Sequence, residues 1–300
     1  MTPRRSPIGT EPGCAGPFPR RAGGSVSNHG GTLRGMAPDL ECVGLRWRVE
    51  ACDWLVGART LAPGSIDLLY ADPPFNTGKR RSGASGSFDD SWRDAGAYLA
   101  WLEERLRATL PALKATGSVL IHCDWRTSHH TRLLLDRLLG PDRFVNHLVW
   151  RYGLGGSSAR RFARKHDDIL FYAIDPERYW FEPPRVASTS RRMGGATKKA
   201  TDVLDIPADE VLDVPSINNM ARERTGWPTQ KPLALLRLLV GACCPPAGTV
   251  LDPCCGSGTT LVAARDLGRS GVGFDLDHRA TELARTRVEH FVCTRGVQTS

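Results

Sequence analysis

The stretch VLDPCCGSGTTLVAA, residues 250–264, decides the fold because a buried strand, a glycine turn and a helix follow one another without a break. Asp252 ends the apolar run, and residues 256–258 form the turn before the helical pattern. Small residues at such a turn allow backbone N–H groups to approach a ligand at the helix N-terminus. The stretch therefore predicts a strand–helix unit of a parallel sheet, with a ligand-binding turn at the carboxyl end of the strand.

The next strand, GVGFDLD at residues 271–277, places Asp275 seventeen residues after Gly258. A carboxylate at this position typically binds the hydroxyl groups of a nucleoside ribose. The turn lacks the third glycine of a dinucleotide site, and Asp252 would repel a pyrophosphate. The acid suits a cationic ammonium or sulfonium ligand, and S-adenosylmethionine carries both groups. A tight strand–helix connection that needs glycine only for packing is the alternative.

Strands and helices alternate along most of the chain upstream of this stretch. Apolar runs predict strands at residues 65–72, 117–124, 143–152 and 166–175, and helical spacing predicts helices at 95–113, 130–140 and 231–244. This alternation is typical of an α/β domain with a doubly wound, mostly parallel sheet. Residues 79–92 have the composition of a mobile loop, and residues 176–222 interrupt the alternation as an insertion.

The amino-acid composition indicates which kind of partner the protein binds and in which cellular compartment it works. The 300 residues carry a net charge of +8, which favours a polyanionic partner such as nucleic acid, although arginine richness alone would give the same excess. No apolar run is long enough to cross a bilayer, so no membrane role is expected. Nine cysteines, an odd count, suit a reducing cytoplasm. Their two adjacent pairs lack the spacing of zinc ligands, so no metal is expected.

The corner YADPPFNTG, residues 70–78, follows the apolar run 65–72 and raises a separate question. Its two adjacent prolines remove two backbone donors and stiffen the chain directly after Asp72. Taken alone, the corner reads as a proline-stiffened turn with an aspartate cap.

Three motifs together resemble the amino-methyltransferases of DNA. DPPF at 72–75 is similar to the catalytic tetrapeptide of that family, DPCCGSGTT at 252–260 to its cofactor loop, and GWPTQKP at 226–232 to the element before that loop. Their order, with the catalytic motif first, is that of the permuted beta class, which includes type III modification subunits. Residues 143–174 fit this class too, and the resemblance covers about residues 44–290. Trp227 and Phe75 depart mildly from the commoner residues.

The resemblance implies a Rossmann-like methyltransferase fold that transfers a methyl group from S-adenosylmethionine to an exocyclic amine of a flipped base. Asp72 and the carbonyl of Pro73 would accept the two amine hydrogens, Pro74 would stiffen the corner, and Phe75 would stack on the base. The residues expected around the cofactor are Thr229, Lys231, Asp252, Cys254, Gly256, Ser257, Gly258, Thr259 and Asp275. The acid in DPPF favours adenine N6. Cytosine N4, methylation of RNA or protein, and a non-catalytic DNA-binding relative are the alternatives.

Residues 1–40 are rich in Gly, Pro, Ser and Arg without hydrophobic periodicity, which predicts a disordered basic tail. The resemblance divides the rest into a catalytic half (41–175), a cofactor half (223–300) and, at the insertion 176–222, a target-recognition region. The expected partner is double-stranded DNA in the cytoplasm. The basic residues expected to contact it are Arg185, Arg191, Arg192, Lys198 and Lys199. The resemblance leaves open a restriction-endonuclease subunit as a partner, and a homodimer.

Overall fold

A computed structural model describes residues 40–42, 44–152, 158–187, 197–205 and 225–295. The tail expected at 1–40 therefore lies outside the described residues, apart from Leu40. The strands are β1 (Leu40–Cys42), β2 (Leu45–Ala51), β3 (Ile66–Ala71), β4 (Lys79–Gly83), β5 (Gly86–Asp90), β6 (Leu113–Cys123), β7 (Phe144–Arg151), β8 (His166–Ala173), β9 (Arg185–Ala187), β10 (Thr197–Lys199), β11 (Val203–Asp205), β12 (Thr249–Asp252) and β13 (Ser270–Asp275). The helices are α1 (Trp54–Ala58), α2 (Ala95–Thr109), α3 (Ser128–Leu139), α4 (Leu233–Cys243), α5 (Thr259–Asp266) and α6 (His278–Arg295).

Within the described residues, nine strands form one sheet in the order β1-β2-β13-β12-β3-β6-β8-β7-β11. The strands from β2 to β6 in this order pair in parallel, whereas β8 runs antiparallel to both of its neighbours. The prediction of a mostly parallel α/β sheet is confirmed. None of the described helices is both long and apolar enough to cross a membrane.

Helices cover both faces of the sheet, and β3 explains why. All of its residues are buried, as expected for a central parallel strand. Successive side chains of a strand point to opposite faces. Leu69 packs in a cluster with side chains of α1, α2 and α3, whereas Leu68 packs in a cluster with side chains of α4 and α5. A doubly wound arrangement follows, in which each side of the sheet has its own apolar core.

The expectation of a loop at residues 79–92 is wrong, because β4 and β5 form an antiparallel hairpin there. The hairpin sits against the segment before α4. A Cβ atom on Gly86 would lie 2.1 Å from the Trp227 ring, and one on Gly83 would lie 2.4 Å from the Gly226 carbonyl oxygen. Only glycine permits this approach, so tertiary packing rather than strand propensity selects the hairpin.

The described parts of the insertion expected at 176–222 also contain strands. β9 and β10 form a small antiparallel pair, and β11 adds to the edge of the main sheet beside β7. The chain at 203–205 is therefore part of the sheet rather than of a separate subdomain.

Candidate active site

The cleft lies at the carboxyl edge of the sheet, between β3 and β12. The chain winds from β3 towards β6 in one direction and from β12 towards β13 in the other, so the strand order reverses at this point. Ligands bind at such switch points in open α/β sheets. The cleft has a volume of about 580 Å³, and its lining includes Asp72, Pro73, Pro74, Phe75, Trp227, Thr229, Lys231, Asp252, Cys254, Gly256, Ser257, Thr259 and Asp275. Of the residues expected in the catalytic motif and around the cofactor, this lining contains all but Gly258.

Asp72 stands directly after β3 and forms an ion pair that sequence reasoning missed. Lys231 Nζ donates a hydrogen bond of 2.5 Å to Asp72 Oδ2. The other carboxylate oxygen, Oδ1, is buried and finds no hydrogen-bond partner among the described residues. In this residue of the cleft wall, one carboxylate oxygen is therefore an unused, buried acceptor, while the other is held by a cation. Because Lys231 contacts Asp72, the structure links it to the catalytic corner, although the sequence placed it with the cofactor.

The corner at residues 70–78 is held in place by contacts of the two residues that follow Phe75. Asn76 has a positive φ of 55°, and its side-chain oxygen accepts a hydrogen bond of 3.0 Å from the Trp92 N–H. Thr77 donates a hydrogen bond of 2.5 Å to Asp90, at the end of the hairpin. The hairpin thus supports the segment that carries the acid and the ring of Phe75.

Phe75 stacks on His122, with ring centroids 5.8 Å apart and planes inclined by 22°. The ammonium of Lys231 lies 5.2 Å from the centroid of the same phenyl ring, on the geometry of a cation–π contact. Phe75 is thus held by an imidazole and a cation while it remains part of the cleft wall.

His122 belongs to a buried polar network behind this ring, and sequence reasoning missed it. Its Nδ1 lies 3.0 Å from the hydroxyl of Tyr70, and its Nε2 lies 3.2 Å from Asp167, which also accepts a hydrogen bond from Tyr152. Burial tends to raise the pKa of Asp167, but hydrogen bonding and charge from His122, together with the charge of Lys231, hold that pKa below its ordinary value. In the structure, the parallel register of β3 and β6 pairs Ala71 with Ile121, which brings His122 to the level of Asp72.

The two glycines of the turn, Gly256 and Gly258, make different contacts. Gly258 has φ of 76°, and a Cβ atom there would lie 2.6 Å from the Cβ of Ala284 on α6, so packing requires it. Gly256 has φ of 49°, and its N–H donates a hydrogen bond of 2.9 Å to Asp275 Oδ2. The packing role expected as an alternative therefore applies to Gly258, and also to Gly256, where a Cβ atom would lie 2.8 Å from Nε1 of Trp227. Gly256 in addition lines the cleft beside the acid.

Among the further acids that line the cleft, Asp252 and Asp275 stand at the ends of β12 and β13, and burial is the largest influence on the pKa of each. Asp252 is only 3% exposed, and burial raises its pKa to about 7, against hydrogen bonds from Thr260 and the Cys254 N–H. The charges of Asp72 and Asp275 raise this pKa further. Burial also raises the pKa of Asp275. Because burial and the charges of Asp72 and Asp275 disfavour the ionised form of Asp252, this part of the cleft gains stability from a cationic ligand.

The remaining residues of the turn are less available to a ligand. Ser257 and Thr259 are buried, and the guanidinium of Arg287 donates to the carbonyl of Ser257 at 2.6 Å and to the hydroxyl of Thr259 at 3.2 Å. Burial raises the pKa of the Cys254 thiol, which keeps it neutral. Thr229 takes a left-handed backbone conformation, with φ of 60°, directly before the segment of Lys231.

The residues expected to contact DNA do not lie in this cleft lining. Arg185, Lys198 and Lys199 are exposed on the β9–β10 pair, where Arg185 donates hydrogen bonds to the side chain and carbonyl of Thr197. Arg191 and Arg192 lie outside the described residues. No group of three or more His, Cys, Asp or Glu side chains in the described part of the chain is arranged to hold a metal ion.

Comparisons with known proteins agree with this geometry. A sequence model of a DNA methylase family matches residues 66–286. The chain is 28% identical over 231 residues to type II methyltransferase M.HpaI of Haemophilus parainfluenzae, covering 77% of this chain and 70% of that protein. It is 26% identical over 247 residues to the DNA adenine methyltransferase YhdJ of Escherichia coli, covering 79% and 81% of the two chains.

Solved structures show the same fold at low sequence identity. The PvuII DNA methyltransferase, described as cytosine-N4-specific, gives a TM-score of 0.59 at 14% identity, over 82% of this chain and 90% of that one. The complex of M1.HpyAVI with SAM gives a TM-score of 0.55 at 21% identity, over 80% and 98% of the two chains. These likenesses establish the Rossmann-like sheet and its helices.

Proposed function

This chain belongs to the DNA methylase family whose sequence model matches residues 66–286, and we propose that it methylates N6 of adenine in duplex DNA with S-adenosylmethionine as the donor. The observation that carries the proposal is the unused, buried Oδ1 of Asp72 in the cleft wall beside the ring of Phe75. The acid in DPPF and the likeness to a relative named as an adenine methyltransferase both favour adenine.

The residues of the cleft fit the cofactor of this family. Asp275 lies where a ribose acceptor is expected, and its hydrogen bond from the Gly256 N–H sets its orientation. The buried carboxyl of Asp252 suits a cationic group, because its ionised form is otherwise disfavoured. When bound, S-adenosylmethionine supplies an electrophilic methyl group on a sulfonium.

The chain's own part in the reaction is to orient and activate a poor nucleophile. The lone pair of an exocyclic amine is delocalised into the base, so acceptors on both of its hydrogens favour the pyramidal nitrogen that attacks. Asp72 Oδ1 is one such acceptor, and the carbonyl of Pro73, held rigid by Pro74, is the other. Phe75 stacks on the flipped base, and His122 holds Phe75 from behind. Lys231 balances the charge of Asp72.

The test is methylation of duplex DNA by wild-type protein and by Asp72→Ala. Removing one preorganised group of this kind typically lowers kcat about 10²–10³-fold, and we expect such a loss with little change in cofactor affinity. Asp142→Ala, at an exposed acid before β7, is the matched control and should keep full activity. Nucleoside digestion and mass analysis identify the product base. N4-methylcytosine as the product would refute the adenine assignment, and a fully active Asp72→Ala protein would refute the mechanism.

We also propose that the segment at 176–222 contacts DNA, because its described residues include the exposed cations Arg185, Lys198 and Lys199. Replacing Lys198 and Lys199 by glutamine should weaken DNA binding and flatten its dependence on salt, since each lost phosphate contact lowers the slope by about 0.9. The boundaries at 41–175 and 223–300, the cytoplasmic location, the homodimer and a restriction-endonuclease partner stay predictions.

A further inference from the structure

A short, strongly basic segment with one exposed aromatic ring lies between β7 and β8. Residues 158–165 read SARRFARK and contain four cations and no acid. Phe162 is 97% exposed in their midst. A single exposed apolar side chain is common. A fully exposed phenyl ring with arginines before and after it in the sequence is typical of a segment that contacts nucleic acid.

A second aromatic ring ties this segment to the turn after β6. The guanidinium of Arg164 lies 3.3 Å from the ring centroid of Trp125, and that of Arg126 lies 4.7 Å from it. Trp125 is 40% exposed despite these two contacts. Asp124 forms an ion pair with Arg126 and offsets part of the repulsion between the two guanidinium groups, and the cluster still keeps an excess of positive charge. Desolvation lowers the pKa of Arg164, and repulsion from Arg161 and Arg126 lowers it further.

The topology places this surface at the edge of the sheet that carries the cleft. β6 runs parallel to β3 and ends at Cys123, so Trp125 lies beyond the same edge as Asp72. β8 runs antiparallel to β6 and begins at His166, so the basic segment meets the sheet at this edge too. The hydrogen bond from the Tyr152 N–H to the Lys165 carbonyl fixes the end of the segment.

We propose that Trp125, Arg126, Arg160, Arg161, Phe162 and Arg164 form a basic aromatic surface that holds duplex DNA beside the flipped base, separately from the residues at 185–199. This inference rests on the proposed function. The guanidinium groups bind phosphates, for which their planar donors are suited. Phe162 enters the base stack as an apolar wedge, which stabilises the duplex after a base has left it.

The first test measures the phosphate contacts without any need for a recognition sequence. Binding of a random-sequence 30-base-pair duplex is followed by fluorescence anisotropy across a series of salt concentrations. Arg160→Gln/Arg161→Gln should lower the slope of log K against log salt by about one to two, because each phosphate contact contributes about 0.9. The control Arg59→Gln/Arg143→Gln removes the same charge from two exposed positions, one directly after α1 and the other directly before β7. An equal slope change in both double variants would refute a specific surface.

The second test addresses the wedge. The sequence that wild-type protein methylates is synthesised with 2-aminopurine at the target base, whose fluorescence rises when it unstacks. Phe162→Ala should lose most of this rise and of kcat/KM for DNA, whereas Phe162→Leu should retain them, because leucine also serves as a wedge. Cofactor affinity should be equal in all three proteins. Unchanged fluorescence in Phe162→Ala would refute the wedge. Wild-type protein that methylates no DNA base would instead refute the proposed function, and the salt series would still decide on the surface.

Discussion

Lys231 Nζ lies 2.5 Å from Asp72 Oδ2, which joins two residues 159 positions apart in the chain. Both side chains are largely buried, at 12% and 17% exposure. The pair connects the segment before α4 to the corner after β3, and it holds one oxygen of Asp72 while the other, buried oxygen has no hydrogen-bond partner among the described residues. The charge of the lysine also offsets part of the negative charge of a cleft whose lining includes Asp252 and Asp275 among its acids.

Removing Lys231 should therefore destabilise the protein through Asp72. Lys231→Met leaves a largely buried carboxylate without its partner, which costs about 1–3 kcal/mol of the free energy of unfolding. The double variant Asp72→Asn/Lys231→Met should lose less than the sum of the two single variants, because the lost interaction is shared. Urea unfolding measures all of these values. Lys79→Met, at an exposed lysine of the hairpin, should change the free energy by less than about 0.5 kcal/mol. Strict additivity of the two single variants would contradict the pairing.

The stack of Phe75 on His122 predicts a positioning role for the histidine. His122→Asn removes the ring that supports Phe75, and aromatic pairs contribute about 0.5–1.5 kcal/mol. We expect kcat/KM for DNA to fall about two- to tenfold, with no change in the affinity for S-adenosylmethionine. Tyr152→Phe is the matched control, because it removes a hydrogen bond to Asp167 on the far side of the network and leaves the stack in place. Equal losses in the two variants would assign His122 a structural role only.

The fold and the convergence of three carboxylates could be predicted from the sequence, because both depend on where the parallel strands end. Asp72, Asp252 and Asp275 each follow or end an apolar run, and the carboxyl ends of neighbouring parallel strands meet at one edge of a sheet. Their convergence can therefore be predicted once the strands are recognised. The Lys231–Asp72 pair could not be predicted in this way, because it depends on how the segment before α4 packs over that edge.

The hairpin and the network of His122 escaped prediction for related reasons. The letters KRRSGASGSFDD at 79–90 contain glycine, serine and charges, which are weak strand formers, and contact with Trp227 overrides that preference. A histidine within the apolar run before Cys123 gives no sign of its partners. Tyr70 and Asp167 reach it from two other strands of the sheet.

Asp275 should control cofactor affinity. Asp275→Ala removes a charged acceptor from the expected ribose site and also the hydrogen bond from the Gly256 N–H, so calorimetry should show a loss of about 1.5–3 kcal/mol. Asp275→Asn retains an oxygen for that N–H and should lose less. Asp142→Ala is the control, because this acid is exposed before β7 and lies outside the cleft lining. Unchanged affinity in Asp275→Ala would remove the residue from the site.

The raised pKa of Asp252 predicts that binding of S-adenosylmethionine depends on pH in a definite direction. Burial places this pKa at about 7 in the free protein, and the ligand cation favours the ionised carboxylate, so binding lowers the pKa. Affinity should therefore be constant above about pH 8 and should fall as the pH drops below 7, by up to tenfold per pH unit. Binding at pH 6–7 should release a proton, which calorimetry in buffers of different ionisation enthalpy detects. Asp252→Asn should bind more weakly at pH 8 and show no proton release, whereas Asp142→Asn, at an exposed acid outside the cleft lining, should behave as wild type. Proton uptake instead of release in the wild-type protein would contradict a cationic ligand at Asp252.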